Sequence, residues 1–219
     1  MTQKGTSPVK IALVLLLFGF LLGGLLRAKT AVDARRAQLL EEDFHNVAHD
    51  LPAYQQQYGA LPGDDPKVGI AGHLPHATAC APIASGKCMP GNGIIDGNWN
   101  DGTTASESYL FWQHVRMAGL AEGATDPASA NYPAQNGEGG RIGLTNATES
   151  PIVELHGAQI ICSDHIKASL VKQLDAALDN GDTASGKVMA TLAGTTSGGH
   201  ALASDALAEG QLYLVCMGI

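Results

Sequence analysis

The stretch Ile11-Ala-Leu-Val-Leu-Leu-Leu-Phe-Gly-Phe-Leu-Leu-Gly-Gly-Leu-Leu26 has sixteen residues and carries no charge. Sixteen helical residues span about 24 Å, slightly less than the hydrocarbon core of a bilayer. The flanking Lys10 and Arg27 can make up the difference, because long basic side chains carry their charge out to the membrane surface. The run therefore predicts a transmembrane helix over 11–26, preceded by a short leader-like N-terminus over 1–10.

The helical pattern continues well beyond this run. Apolar residues recur at alternating spacings of four and three, as expected for one stripe along a helix: Leu40, Phe44, Val47, Leu51, Tyr54 and Tyr58. Gly59 then stops the pattern, and Leu-Pro-Gly-Asp-Asp-Pro at 61–66 is turn sequence. We expect one continuous helix over 11–58, whose C-terminal half packs on the chain's own globular part.

The remaining residues, 59–219, are predicted to form one globular head. The 27 glycines and 10 prolines, with only 5% aromatic residues, indicate long loops joining short elements. The net charge of −8 makes nucleic acid an unexpected partner, because phosphate binding needs a basic surface.

Within the head, the apolar patterns predict helices over 106–118 and 165–179, the second capped by Asp164. Short runs with strand composition lie at 151–155, 158–162, 187–192 and 211–217. The predicted fold class is α+β: a long N-terminal helix, half membrane and half amphipathic, packed on a small antiparallel sheet with short helices and long loops.

All four cysteines, Cys80, Cys88, Cys162 and Cys216, follow the apolar run. An even number of cysteines beyond a membrane segment indicates two disulfides in an oxidising compartment. We expect the pairs 80–88, within one loop, and 162–216, between two strand ends. The basic residues that follow the run favour a cytoplasmic head by the positive-inside rule. The cysteines favour the opposite side, and we give them more weight.

Several segments of the chain resemble type IV pilins and the pseudopilins of type II secretion. They are the apolar run with Lys10 before it, Ala53-Tyr-Gln-Gln-Gln-Tyr-Gly-Ala-Leu-Pro-Gly-Asp-Asp-Pro, Trp112-Gln-His-Val-Arg-Met-Ala-Gly-Leu, and Leu174-Asp-Ala-Ala-Leu-Asp-Asn-Gly followed by Gly186-Lys-Val. The resemblance implies a pilin-like fold. It also implies a single-pass subunit of the bacterial inner membrane with a periplasmic head, which becomes extracellular when it is assembled in a filament.

The N-terminus departs from the pattern of that family, in which a peptidase cuts after the glycine of Gly-Phe-Thr-x-x-Glu. This chain reads Gly5-Thr6-Ser7-Pro8-Val9-Lys10, so Gly5 and Thr6 flank the implied processing site and Lys10 replaces the glutamate. In the family, that glutamate pairs with a neighbour's terminal amine, whereas Lys10 has the same charge as the amine. Two interpretations remain: a minor subunit that caps the fibre tip, or a relative that is never cleaved.

The loop sequence Asp96-Gly-Asn-Trp-Asn-Asp-Gly102 carries oxygen side chains at alternate positions and is followed by Glu107. This spacing is similar to an EF-hand calcium loop, with Asp96, Asn98, Asn100 and Glu107 as candidate ligands, although the turn glycine comes one residue late. The other interpretation is a turn that hydrogen-bonds its own backbone and caps the following helix. Zinc at His73, His76, Cys80 and Cys88 is the rival to the first disulfide.

The sequence therefore predicts a minor pilin or pseudopilin subunit, structural and not an enzyme. Its expected partners are other pilin or pseudopilin subunits, the inner-membrane assembly machinery and a prepilin peptidase. Docking is expected to use the apolar helix, where Gly19, Gly23 and Gly24 allow close helix approach and Lys10 influences position. The alternative is an uncleaved, membrane-tethered binding module whose ligand site is the 67–104 loop.

Overall fold

The computed structural model describes residues 8–81 and 87–219; inside the first helix, the side chains at 10, 14 and 20–29 lie outside that description. The helices are α1 (Pro8–Tyr58), α2 (Glu107–Met117) and α3 (Ala168–Leu178), with a short 3₁₀ turn at Ala147–Glu149. The strands are β1 (Ile142–Asn146), β2 (Gln159–Lys167), β3 (Val188–Leu192) and β4 (Leu212–Gly218). The fold is therefore α+β, as the sequence predicts.

The helix α1 is one uninterrupted element of 51 residues, which corresponds to a length of about 76 Å. Its C-terminal half buries a stripe at helical spacing against α3 and the sheet: Ala37, Leu40, Phe44, Val47, Leu51 and Tyr54. Pro52 lies within this half, and the helix continues past it to Tyr58. The predicted stripe from Leu40 to Tyr58 is thus the face that attaches the helix to the head, with Tyr58 partly buried at its end.

The sheet has four antiparallel strands in the order β1-β2-β4-β3. Because side chains alternate across a strand, β2, β3 and β4 each contribute to two separate layers. One face carries Ile161, Val215 and Val188 into the main core with α1 and α3. The opposite face carries Ile160, Leu214 and Met189 into a smaller cluster covered by Trp99 and Ile152.

Both predicted disulfides are present. Cys80–Cys88 closes a segment of the long loop, with a sequence separation of 8 residues. Cys162–Cys216 joins residues directly opposite each other on β2 and β4, with a separation of 54 residues. The second disulfide therefore links the two central strands of the sheet to each other.

Several predicted element boundaries are wrong. The run at 151–155 forms turns against the smaller core instead of a strand, and strand β1 at Ile142–Asn146 was not predicted. The third helix starts at Ala168, because β2 continues past Asp164 through an irregularity between Ser163 and Ile166. Asp164 consequently accepts hydrogen bonds from His165 and Gly194 and does not cap α3.

Candidate functional site: the uncovered half of the N-terminal helix

The N-terminal half of α1 carries apolar side chains that no other part of the described chain covers. Between Val9 and Phe18, every large apolar side chain that the structure describes is at least half exposed, with Leu15 at 66%. These residues point in all directions around the helix and form no single stripe. A helix that is apolar on all sides is typical of burial among other helices or in lipid.

The assembly residues predicted from the sequence fall partly outside the described region. Gly5 and Thr6 precede it, and the side-chain surroundings of Lys10, Gly23 and Gly24 are not described, although all three lie on α1. At Gly19, an added Cβ atom would meet no atom within 4 Å, so this side of the helix is open.

Across the part of the chain that the structure describes, no helix combines the length and the apolar composition needed to cross a membrane. The predicted span at 11–26 gains no support from this finding. Positions 20–26 have side chains outside the description, and the span stays a prediction.

The covered half of α1 is held to the head by charged as well as apolar contacts. The carboxylate of Glu138, whose side chain is only 7% exposed, lies 3.6 Å from Arg36 on α1 and 3.1 Å from Lys167 at the end of β2. One buried acid thus links the helix to the sheet. Near the end of the helix, Tyr54 donates a 2.8 Å hydrogen bond to Asp65, which also accepts from His73 at 2.6 Å.

The long loop is organised around two buried carboxylates. Asp64 accepts hydrogen bonds from the backbone amides of Gly91, Asn92 and Gly93 at 2.5, 3.1 and 2.8 Å. Glu107, which is fully buried, accepts from the amides of Met89 and Asp96 at 2.7 and 2.9 Å. Burial raises the pKa of Glu107 to about 7, and these amide bonds oppose the rise.

These contacts bear directly on the calcium hypothesis. Each oxygen of Glu107 already serves a backbone amide, and Asp96 accepts from the side chain of Asn92 at 2.8 Å. The loop through Asn98 and Asn100 is fixed by Arg141, which donates to the carbonyls of Asn100 and Asp101. Glu107 thus has a structural role, because it holds the loop through the amides of Met89 and Asp96. Calcium binding at Asp96, Asn98, Asn100 and Glu107 stays a prediction.

Among the described residues, Cys80, Cys88 and Glu107 are the one group of three potential metal-ligating side chains whose ligand atoms converge within 4.8 Å. Because both cysteines are bonded to each other, neither offers a thiolate to a metal. The zinc alternative at His73, His76, Cys80 and Cys88 is therefore wrong in this oxidised structure.

The turn interpretation of this loop is correct in part. Asp101 accepts a 2.9 Å hydrogen bond from the amide of Asn98 and pairs with Lys87 at 2.8 Å. Ser106 occupies the cap position of α2, but its side chain makes no capping hydrogen bond. The carboxylate of Glu107 secures this end of α2 instead.

Sequence reasoning did not identify the central position of α2. Residues from Glu107 to Arg116 are all buried, on every side of the helix. Its His114 accepts a 2.8 Å hydrogen bond from the amide of Gly63 and contacts the carbonyl of Thr78 at 3.0 Å through its other ring nitrogen. The signal in the sequence was the set of polar residues Gln113, His114 and Arg116 among the apolar residues of α2. Such residues indicate a buried helix with hydrogen-bond partners on several sides, because buried polar groups need partners.

Comparison with known proteins identifies no relative: no family model, no curated protein and no solved structure matches the chain.

Proposed function

We propose that this chain is a minor pilin or pseudopilin-like subunit that assembles with, or caps, a type IV pilus or a type II secretion pseudopilus. The role is structural and not enzymatic. The observation that carries the proposal is the division of α1 into a half packed on the head and an uncovered half in which the described apolar side chains, at 9–18, are exposed on all sides of the helix. This division supports a subunit whose helix associates with other helices.

The energetic argument follows from the exposed apolar area. Removing apolar surface from water contributes about 25 cal/mol per Å², so several leucines left in water represent several kcal/mol of unused stabilisation. Lipid and neighbouring pilin helices both remove this cost. We therefore propose an inner-membrane protein that is embedded through 11–26 and associates with other pilin-like subunits and the assembly machinery.

A periplasmic head is part of the same proposal. Two disulfides tie down the loop and the sheet of the head, which suits an oxidising compartment. A filament role would then place the head on the outer surface of the fibre.

Lys10 bears on the position within the fibre. A cation next to a neighbour's terminal amine in an apolar environment is unfavourable, because an unpaired buried charge costs several kcal/mol. We propose a tip position, where no further subunit follows. Processing by a prepilin peptidase after Gly5 belongs to this proposal, and mass spectrometry of the mature N-terminus tests it.

The experiment that tests assembly replaces Gly23 and Gly24 with leucine, which blocks close helix approach. The head is expected to fold normally, and co-purification with other pilin-like proteins from sheared fibres is expected to be lost. Gly137→Leu is the control, because this exposed head glycine has no atom within 4 Å of an added Cβ.

Unchanged co-purification of the double variant contradicts helix-mediated assembly. Absence of the wild-type protein from sheared fibres, with retention in the membrane, favours the tethered binding module instead.

A further inference from the structure

A groove of about 630 Å³ lies between α1, α2 and the segment 120–135. Asp43 and Asp50 line one wall, Trp112 and Arg116 come from α2, and Glu122 and Asn131 belong to the loop segment. The volume lies within the range of small-molecule sites, which typically measure about 300–1,000 Å³. The groove is separate from the uncovered half of α1.

Two carboxyl groups of α1 line this groove, and within the described part of the chain neither forms an ion pair with a lysine or an arginine. Asp43 and Asp50 are seven residues apart, so they lie on the same side of the helix two turns apart. The Asp50 side chain is only 6% exposed, and its neighbour is the imidazole of His49 at 3.6 Å, a side chain that is itself 77% exposed. Burial raises the pKa of Asp43 to about 6 and also raises the pKa of Asp50, an effect that His49 opposes.

The opposite charge in the groove is that of Arg116, which is 9% exposed. Its guanidinium donates hydrogen bonds to the carbonyls of Glu122, Ala124 and Tyr132, at 3.1, 2.9 and 2.6 Å. It also lies 5.2 Å from the ring centroids of Trp112 and Tyr132. All of these partners are uncharged, so they orient the cation without neutralising it.

Buried charges of opposite sign normally pair with each other, because an isolated ion in a low-dielectric environment is costly. Within the described part of the chain, Arg116 forms no ion pair with Asp43, Asp50 or any other carboxylate. The groove therefore brings two carboxyl groups and one guanidinium to a single space, with no ion pair between them.

We propose that this groove binds a small zwitterion, namely a short peptide with free termini, with its ammonium group at Asp43 and Asp50 and its carboxylate at Arg116. An ammonium donates to carboxylate oxygens, and a guanidinium donates to a carboxylate, in charge-assisted hydrogen bonds that are stronger than neutral ones. The backbone of such a ligand would lie beside Trp112. The inference does not depend on filament assembly.

The probe for this site is triglycine, and the matched probes are acetyl-triglycine and triglycine amide, each of which lacks one terminal charge. Trp112 reports binding by its fluorescence. The chain has two tryptophans, and Trp99 belongs to the small cluster on the opposite face of the sheet. Trp99→Phe in the full chain, kept in detergent, removes the second signal.

Triglycine is expected to bind at least tenfold more tightly than either blocked probe. Asp50→Asn should weaken triglycine binding at least tenfold and abolish its advantage over acetyl-triglycine, whereas exposed Asp205→Asn should have no effect. If Asp50→Asn does not fold, the half-buried Asp43→Asn replaces it with the same expectation. The carboxylate end is tested on the probe, because replacing Arg116 removes three loop hydrogen bonds.

Equal binding of the three probes, or no saturable change in Trp112 fluorescence with triglycine, overturns the proposal. Binding that survives both aspartate substitutions overturns it as well.

Discussion

The two disulfides should contribute unequally to the stability of the head. Each can be removed by changing both of its cysteines to alanine. All four cysteines are at most 4% exposed, so the loss of packing at the two sites is comparable. The main difference is the length of chain that each bond closes, with separations of 8 residues for Cys80–Cys88 and 54 for Cys162–Cys216.

The expected magnitudes follow from the entropy of loop closure in the unfolded chain. For a separation of 54 residues, the chain-entropy relation gives about 4 kcal/mol at 25 °C, and for 8 residues it gives about 2.5 kcal/mol. Removing Cys162–Cys216 should therefore lower the free energy of unfolding by about 1.5 kcal/mol more than removing Cys80–Cys88.

The assay is equilibrium unfolding of the head in urea, followed by tryptophan fluorescence for the wild type and both double-alanine variants. The slope of the transition reports any change in the surface exposed on unfolding, and it must be compared between variants. An equal or larger loss on removing Cys80–Cys88 would refute the reasoning. It would mean that closure of the loop by Cys80–Cys88 contributes more to stability than closure of the sheet by Cys162–Cys216.

Two further predictions concern single residues. Gly63 and Gly59 both have positive φ, but an added Cβ at Gly63 would collide with the carbonyl oxygen of Glu107, whereas Gly59 has open space. In urea unfolding, Gly59→Ala should lower the free energy of unfolding by about 1 kcal/mol, and Gly63→Ala should lower it several times more. Equal losses would refute the role of the contact between Gly63 and the carbonyl of Glu107. Burial raises the pKa of the Asp175 carboxyl from 3.8 to about 6, so its contribution to stability is complete below about pH 4 and is lost as the pH rises through 6. The free energy of unfolding of Asp175→Asn, relative to that of the wild type, should accordingly rise by up to about 3 kcal/mol between pH 4 and pH 7.5. A relative free energy of unfolding that does not change with pH would contradict this.

The long helix was predictable from the sequence because its signal is periodic over many residues. The stripe from Leu40 to Tyr54 has helical spacing, and Gly59 with the following turn sequence supplies the stop. A pattern sustained over several turns leaves few alternatives. The disulfide pairing was predictable from position: Cys80 and Cys88 lie in one loop, and Cys162 and Cys216 lie at the ends of two runs with strand composition.

The strands were less predictable because short apolar runs do not identify their own environment. The run Pro151-Ile-Val-Glu-Leu155 has strand composition, yet its Ile152 and Leu155 fill the smaller core from a turn. Strand β1 includes Gly143 and Asn146, which are uncommon in strands. Gly143 is needed there because an added Cβ would overlap the backbone of Trp99.

The groove could not be predicted because its walls come from distant parts of the chain. Asp50 lies on α1 and Arg116 in the last turn of α2, and nothing in the spacing of either residue indicates the other. Only the folded chain brings both to one space, where they form no ion pair with each other. In the same way, the spacing of Glu107 within a calcium-like pattern did not reveal that two backbone amides occupy its oxygens.

The most direct test of helix-mediated assembly is a photo-cross-link from the uncovered half of α1. A benzophenone amino acid at position 16, where the native leucine is 62% exposed, should give adducts with other pilin-like subunits in native membranes. The same probe at position 153, an exposed valine of the head, controls for random collisions. Recovery of only monomer and lipid adducts at position 16 would contradict the account.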